Sequence, residues 1–116
     1  MLPDLSGLAV GGDTSAGEQV AGWGRGPKVV KAFNTVGSSI MENPSFGADK
    51  PVMFYCGDDA GPKSKAEQLA DELGFESVDA GPLTHARLLE SFALFWISLA
   101  FKAGLRREFA FKLLRR

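Results

Sequence analysis

The stretch Lys28-Val29-Val30-Lys31-Ala32-Phe33-Asn34-Thr35-Val36 decides the fold of this chain. Its first half is apolar and β-branched, which is typical of a strand buried on both faces. Its second half changes to an Asn-Thr turn, after which a short helix is expected. Open α/β sheets bind ligands at the carboxyl ends of their strands. The stretch therefore predicts a ligand-binding α/β fold with polar side chains where this strand ends.

The composition limits the classes of protein to which this chain can belong. A chain of 116 residues is enough for one small domain, and 45% hydrophobic with 23% charged residues is an ordinary globular balance. A net charge of −1 gives no argument for binding nucleic acid or a membrane. A single cysteine and a single histidine exclude a disulfide within the chain and disfavour a metal site. No signal peptide is recognisable, so we expect a reduced, cytoplasmic protein.

The pattern outside the first stretch repeats the alternation of strand and helix. The pattern predicts the element order β-α-β-α-β-α-β in an α/β fold, with an edge-type strand at the C-terminus. The predicted strands are Val29–Phe33, Val52–Cys56, Phe75–Ala80 and Phe109–Leu113.

Helices are predicted between these strands. Ser15 and Glu18 fit a capping box that starts a short helix with Val20 and Trp23 on its buried face. The remaining three are a weak helix from Thr35 to about Glu42, a helix near Pro62 with Ala66, Leu69, Ala70 and Leu73 on one face and Gly74 at its end, and a long helix over about Leu83–Ala103. The long helix is apolar around most of its circumference but too short in its apolar part to span a membrane.

Four segments resemble a known family when they are taken in order: VVKAFNTVGSSIM, VMFYCGDD, AEQLADELGFESVDAGPL and ARLLESFALFWISLAF. They are similar to the C-terminal half of NADP-dependent oxidoreductases that use a deazaflavin coenzyme (coenzyme F420), and to the cytoplasmic reductase domains of metalloreductases. The resemblance covers roughly residues 12 to 113, and it implies an oxidoreductase that transfers a hydride. It also implies a partial, three-layer Rossmann-like fold, with a mostly parallel sheet of about four strands and an antiparallel edge strand at the C-terminus.

The glycine-rich fingerprint with which that family begins is not found in these residues. The segment Gly7–Gly12 neither follows a predicted strand nor directly opens a helix, so it fails the structural test for a G-x-G-x-x-G turn. We therefore expect residues 1–116 to form a single partial domain that lacks the dinucleotide-binding half. Such a chain is expected to bind neither NADP nor deazaflavin tightly and to be inactive by itself.

The resemblance implies that Ala32, Asn34 and Thr35 border the cofactor rings, namely the nicotinamide and the ring that exchanges the hydride with it. The alternative for Asn34 is that it caps the following helix, and the two roles are compatible. No residue is assigned as catalytic and none as a metal ligand.

Other polar residues have structural explanations that compete with functional ones. Asp58 and Asp59 could be paired carboxylates, but the pattern favours the N-terminus of the next helix. Asp79 fits an Asx turn, and His85 is either an acid/base group or a solvated helix residue. Arg87 is expected to pair with Glu90, Lys63 lies one turn from Glu67, and Cys56 is expected to pack as a small apolar side chain. The basic residues near the C-terminus fit a helix end and its tail better than a nucleic-acid site: Lys102, Arg106, Arg107, Lys112, Arg115 and Arg116.

Two functions of different classes follow from these observations. The first is the ring-binding half of a hydride-transfer site in an oxidoreductase. The second is a non-enzymatic α/β module that associates with itself, because an exposed sheet edge and an apolar helix face favour association. We expect a homo-oligomer, most simply a dimer, formed through the sheet edge or through the Leu83–Ala103 helix.

Overall fold

A computed structural model describes Glu18 and residues 28–116 of the chain. The elements in order are β1 (Val30–Lys31), α1 (Ser38–Glu42), β2 (Val52–Gly57), α2 (Ala60–Leu73), β3 (Glu76–Asp79), a 3₁₀ turn (Leu83–His85) and α3 (Ala86–Phe101). The predicted N-terminal helix, with its cap at Ser15 and its apolar residues Val20 and Trp23, lies outside the described residues except for Glu18.

The described residues form a mixed sheet with the strand order β1-β2-β3. β2 and β3 are parallel, with Val52 opposite Glu76 and Tyr55 opposite Asp79. β1 runs antiparallel to β2. The prediction of an α/β fold is confirmed, whereas four mainly parallel strands are not found in this part of the chain. The antiparallel member is the first strand, not the last.

The first strand is shorter than the predicted Val29–Phe33. Only Val30 and Lys31 pair with β2, opposite Gly57 and Cys56. Phe33 has a φ of 61°, a left-handed conformation that a strand cannot contain. The chain therefore leaves the sheet at this residue, and the Asn34-Thr35 turn lies beyond the strand end as predicted.

The predicted C-terminal strand Phe109–Leu113 is absent from the described part of the chain. Its link to the sheet is one backbone hydrogen bond, from the Val52 N–H to the Phe111 carbonyl (2.9 Å). Aromatic contacts hold the segment instead, because the ring of Phe109 stacks on Trp96 at 4.9 Å and that of Phe111 meets Phe92 edge-on at 5.1 Å. The alternating apolar side chains of this segment thus pack on aromatic rings of α3 and do not pair as a strand.

Two buried clusters form the core. One contains Ile40, Met53, Ala70 and Phe75. The other contains Cys56, Leu83, Ala86 and Leu89. Met53 and Cys56 are both completely buried residues of β2, so this central strand contributes to each cluster. Cys56 packs as a small apolar side chain, as predicted, and burial is the main reason that the pKa of its thiol is raised.

The helices differ from their predicted forms in detail. α2 ends at Gly74, whose left-handed φ of 100° matches the predicted stop. Its apolar face is only partly covered, since Ala70 is buried while Leu69 and Leu73 are 49% and 41% exposed. The long helix begins as a 3₁₀ turn at Leu83, and its α-helical part ends at Phe101, before the predicted Ala103. None of the helices in the described ranges combines the length and the apolar content needed to cross a membrane.

Candidate functional site

The predicted site lies where β1 ends and the chain turns toward α1. Phe33 is the turning residue, and its φ of 61° is unusual for a side chain of this size. Such conformations persist only where the surrounding structure holds them, and they cluster at ligand sites. The turn carries Asn34 and Thr35, so the strained backbone and the predicted polar residues coincide.

Asn34 is held by helix α3. Its amide Nδ2 donates a hydrogen bond to the carbonyl of Leu89 at 3.0 Å. Its Oδ1 is buried and has no hydrogen-bond partner among the described residues. Since Nδ2 donates to the carbonyl, the orientation of the amide is determined, and Oδ1 is left as an unpaired acceptor beside the second N–H of Nδ2.

The alternative role of Asn34 as a helix cap is wrong. α1 begins at Ser38, its N-cap is Gly37, and no side chain caps it. A side chain at Gly37 would collide with Trp96, because a Cβ built there lies 2.5 Å from the indole ring. The N-cap of α1 lies three residues beyond Asn34, at a glycine that packs closely on α3.

Thr35 is the most deeply buried polar residue of the turn. It is 2% exposed, and its hydroxyl Oγ1 has no hydrogen-bond partner among the described residues. Burying a hydroxyl without a partner costs stability. The two unsatisfied oxygens of Asn34 and Thr35 follow one another at the end of β1, as expected for residues that receive hydrogen bonds from a bound molecule.

A charged pair joins the same two elements. Lys31 Nζ lies 3.4 Å from Glu90 Oε1, and the carboxylate side chain is only 11% exposed. The predicted Arg87–Glu90 pair is wrong, since Arg87 forms a two-pronged ion pair with Glu18 at 2.7 and 2.9 Å. The sequence signal that was missed is the position of Glu90 within an apolar helix, because a buried carboxylate needs a cation.

The acidic residues after β2 and β3 have structural roles. Asp58 Oδ1 accepts a hydrogen bond from the Leu83 N–H at 3.0 Å, so it caps the 3₁₀ turn and not α2. Asp59 takes the N-cap position of α2 without a side-chain bond. Asp79 accepts the Gly81 N–H at 2.8 Å, which is the predicted Asx turn.

Lys63 forms its ion pair with Asp79 and not with Glu67. Its Nζ lies 2.9 Å from Asp79 Oδ1 and donates to the Gly81 carbonyl at 3.2 Å. The hydrogen bond from Lys63 is the main reason that the pKa of Asp79 is lowered. These contacts tie the start of α2 to the end of β3.

Comparison with known proteins shows a similarity to a solved reductase structure. No family model matches the chain. The structure superimposes with a TM-score of 0.82 on a crystal structure, at 1.70 Å resolution, of a provisionally assigned F420-dependent NADP-reductase from Arthrobacter sp. FB24. The sequence identity is 34%. The chain resembles this reductase family in both sequence and fold. The resemblance drawn from the four sequence segments is thus confirmed.

The extent of the match is uneven between the two proteins. The alignment covers 94% of this chain but 50% of the Arthrobacter reductase, so the chain spans about half the length of that protein. The similarity therefore supports an oxidoreductase-like family and a reductase-like α/β fold. It includes nearly all of the present sequence, so the turn at Asn34 and helix α3 belong to a fold shared with the reductase.

Proposed function

We propose that this chain supplies the ring-binding half of a hydride-transfer site in an F420-dependent NADP reductase. The observation that carries the proposal is the turn after β1, with its left-handed Phe33 and the unsatisfied, buried oxygens of Asn34 and Thr35. NADP and a deazaflavin are the cofactors that the reductase similarity implies for this site. Together they would supply hydride transfer between two ring systems.

The residues of this chain position such rings without reacting themselves. Asn34, oriented by the Leu89 carbonyl, offers an acceptor for an amide N–H of a ring, and Thr35 offers a hydroxyl that can donate or accept. The backbone at Ala32 lies between the end of β1 and the turn. A site of this kind works by holding two flat rings in register and by excluding water. Support comes from the fit between amide-bearing rings and these unpaired polar atoms.

The proposal includes weak binding of the nucleotide by this chain alone. The 116 residues contain no G-x-G-x-x-G sequence, and a helix N-terminus that follows such a turn binds the pyrophosphate in dinucleotide folds. Residues outside this sequence would then bind the phosphates of NADP. The chain by itself retains contacts for the rings only.

Two titrations of the purified chain test the proposal. Calorimetry with NADPH is expected to show no micromolar binding, and quenching of deazaflavin fluorescence is expected to show ring binding that Asn34→Ala abolishes. Gln68→Ala is the matched control, because this residue pairs with Glu72 on the exposed face of α2. Micromolar affinity for NADPH, or deazaflavin binding unaffected by Asn34→Ala, would contradict the proposal.

A second candidate function is a non-enzymatic module that associates with itself. The observation that favours it is a set of large apolar side chains left exposed on α3: Leu88, Phe95 and Phe101 are 64%, 53% and 58% exposed. The free edge of β3 within the described sheet adds backbone groups that can pair. Light scattering at tens of micromolar chain tests this candidate, and a monodisperse monomer would eliminate it.

A further inference from the structure

We propose that a recess beside the N-terminal half of α3 binds a small aromatic molecule that carries an N–H or O–H donor. The recess has a volume of about 210 Å³. It is lined by Phe54, Ala80, His85, Leu88, Leu89 and Phe92. None of these residues belongs to the predicted cofactor set of Ala32, Asn34 and Thr35.

The walls of the recess suit a flat apolar ring. Phe54 and Phe92 meet edge-on, with ring centroids 5.7 Å apart and planes at 73°. Leu88 stands beside them and is 64% exposed, so the chain itself leaves most of this side chain uncovered. A ring placed here would cover Leu88 and meet aromatic neighbours in the geometry that they favour.

His85 is the one polar side chain of the lining, and the fold orients it. Its Nδ1 contacts the carbonyl of Ala80. Because a carbonyl can only accept, Nδ1 carries the proton, and Nε2 of the neutral ring is left as an acceptor. The ring lies against Gly81, where an added Cβ would be 2.8 Å from Nδ1. A glycine with a φ of 105° is thus needed to let the imidazole occupy this position.

The volume of the recess is of the order needed for one ring or two fused rings. An engineered apolar cavity of about 150 Å³ accommodates benzene, and the present recess is moderately larger. A bicyclic heterocycle with one donor, such as indole, matches both the volume and the single acceptor at Nε2. An aliphatic chain would leave that acceptor unused.

The recess adjoins the turn at Asn34 through a shared residue. Leu89 lines the recess with its side chain and accepts the Asn34 amide with its carbonyl. A molecule bound in the recess would contact the residue that orients Asn34. The inference nevertheless stands on the recess alone and does not depend on the proposed hydride-transfer function.

A pair of matched probes tests the donor requirement. Indole and indene have the same shape, but only indole has an N–H. In ¹H–¹⁵N spectra of the full chain, both are expected to shift the amides of Ala80, Gly81 and Leu89, with indole binding roughly 3- to 10-fold more tightly because of one added hydrogen bond. His85→Ala is expected to remove that preference. Equal affinities in the unmutated chain, or no shift with either probe at millimolar concentration, would overturn the proposal.

A second pair of variants locates the site. Leu88→Glu places a charge at the recess and is expected to weaken indole binding at least tenfold, whereas Phe95→Glu changes an exposed residue of the same helix that does not line the recess. Equal effects of the two variants would overturn the assignment. Displacement of indole on raising the protein concentration would also overturn it, since a second copy of the chain would then be the occupant.

Discussion

Thr35 combines near-complete burial with a hydroxyl that has no partner in the described part of the chain. A buried valine of the same shape would not carry the desolvation cost of that hydroxyl. The presence of threonine at a position that stability alone would give to an apolar residue is what makes this residue a candidate for binding.

Thr35→Val tests this cost directly. We expect the variant to raise the melting temperature by roughly 2 to 5 °C, since removing an unpaired buried hydroxyl contributes on the order of 1 kcal/mol. Differential scanning calorimetry measures the change, and Thr84→Val on the exposed 3₁₀ turn is the control. A lower melting temperature would show that the hydroxyl has a partner in solution.

Asp79 should give the chain an acid-dependent contribution to stability. Its pKa is lowered from the ordinary 3.8, mainly by the hydrogen bond from Lys63. A carboxyl with a depressed folded-state pKa stabilises the folded chain above its unfolded pKa, and this contribution is lost as the pH falls through the folded value. We expect denaturation profiles of Asp79→Asn and the unmutated chain to differ near pH 6 and to converge in strong acid.

The carboxyl is half exposed, so solvent screening keeps this contribution small. NMR titration of the Asp79 carboxyl gives an independent reading. A midpoint at or above 3.8 would show that Lys63 does not hold the carboxylate in solution.

At the scale of secondary structure, the two helices packed on the sheet are stopped by different devices. α2 ends at a left-handed glycine, whose N–H bonds back to the last turn at the Asp71 carbonyl (3.1 Å). α3 ends before Gly104, and the N–H groups of Leu105 and Arg106 return to the carbonyls of Leu99 and Ala100 at 3.0 Å. In both helices, carbonyls of the last turn thus accept hydrogen bonds from N–H groups that follow the helix.

Because Gly74 is left-handed, a glycine-to-alanine substitution is expected to have opposite effects on stability at the two ends of α2. Gly74→Ala is expected to destabilise by about 1 to 2 kcal/mol, because alanine in the left-handed region is strained, and the added Cβ would lie 3.3 Å from Pro44. Gly61→Ala is the matched control. Its added Cβ meets nothing within 4 Å, and alanine is favoured in a helix by about 0.5 to 1 kcal/mol.

Urea denaturation of both variants measures the difference. Destabilisation of similar size at the two positions would show that backbone conformation does not govern the end of α2.

At the scale of the whole molecule, α3 has an uncovered apolar face that can contact another molecule. Leu88 and Phe95 lie two turns apart on this helix and are both largely exposed. Contiguous apolar surface of this kind commonly marks a contact with another molecule. Self-association through α3 therefore remains a proposal that a surface variant can test.

Phe95→Glu is expected to shift the chain toward monomer, because a pair of desolvated carboxylates would oppose contact between two copies. Sedimentation velocity at 10-fold steps in concentration measures the shift. Leu114→Glu serves as the control, since this leucine is 80% exposed in the C-terminal tail and not on α3. Identical sedimentation of both variants and the unmutated chain would exclude α3 as the contact.

Local sequence determined the parts of this protein that depend on neighbours a few residues away. The α/β class, the order of the first three strands and the helices that follow them, the stop at Gly74, the Asx turn at Asp79 and the burial of Cys56 all follow from side-chain periodicity and turn chemistry. The position of the candidate site at the end of β1 belongs to the same group, because an Asn-Thr pair directly follows an apolar run.

Only the tertiary structure decided which distant groups meet. Asn34 bonds to Leu89 across 55 positions, Lys31 reaches Glu90 across 59, and Asp58 caps a turn 25 residues away. The antiparallel direction of β1 and the loss of a C-terminal strand have the same origin. Such pairings depend on how packed elements approach one another. A sequence pattern with a period of two or of 3.6 residues does not indicate which distant residues come together.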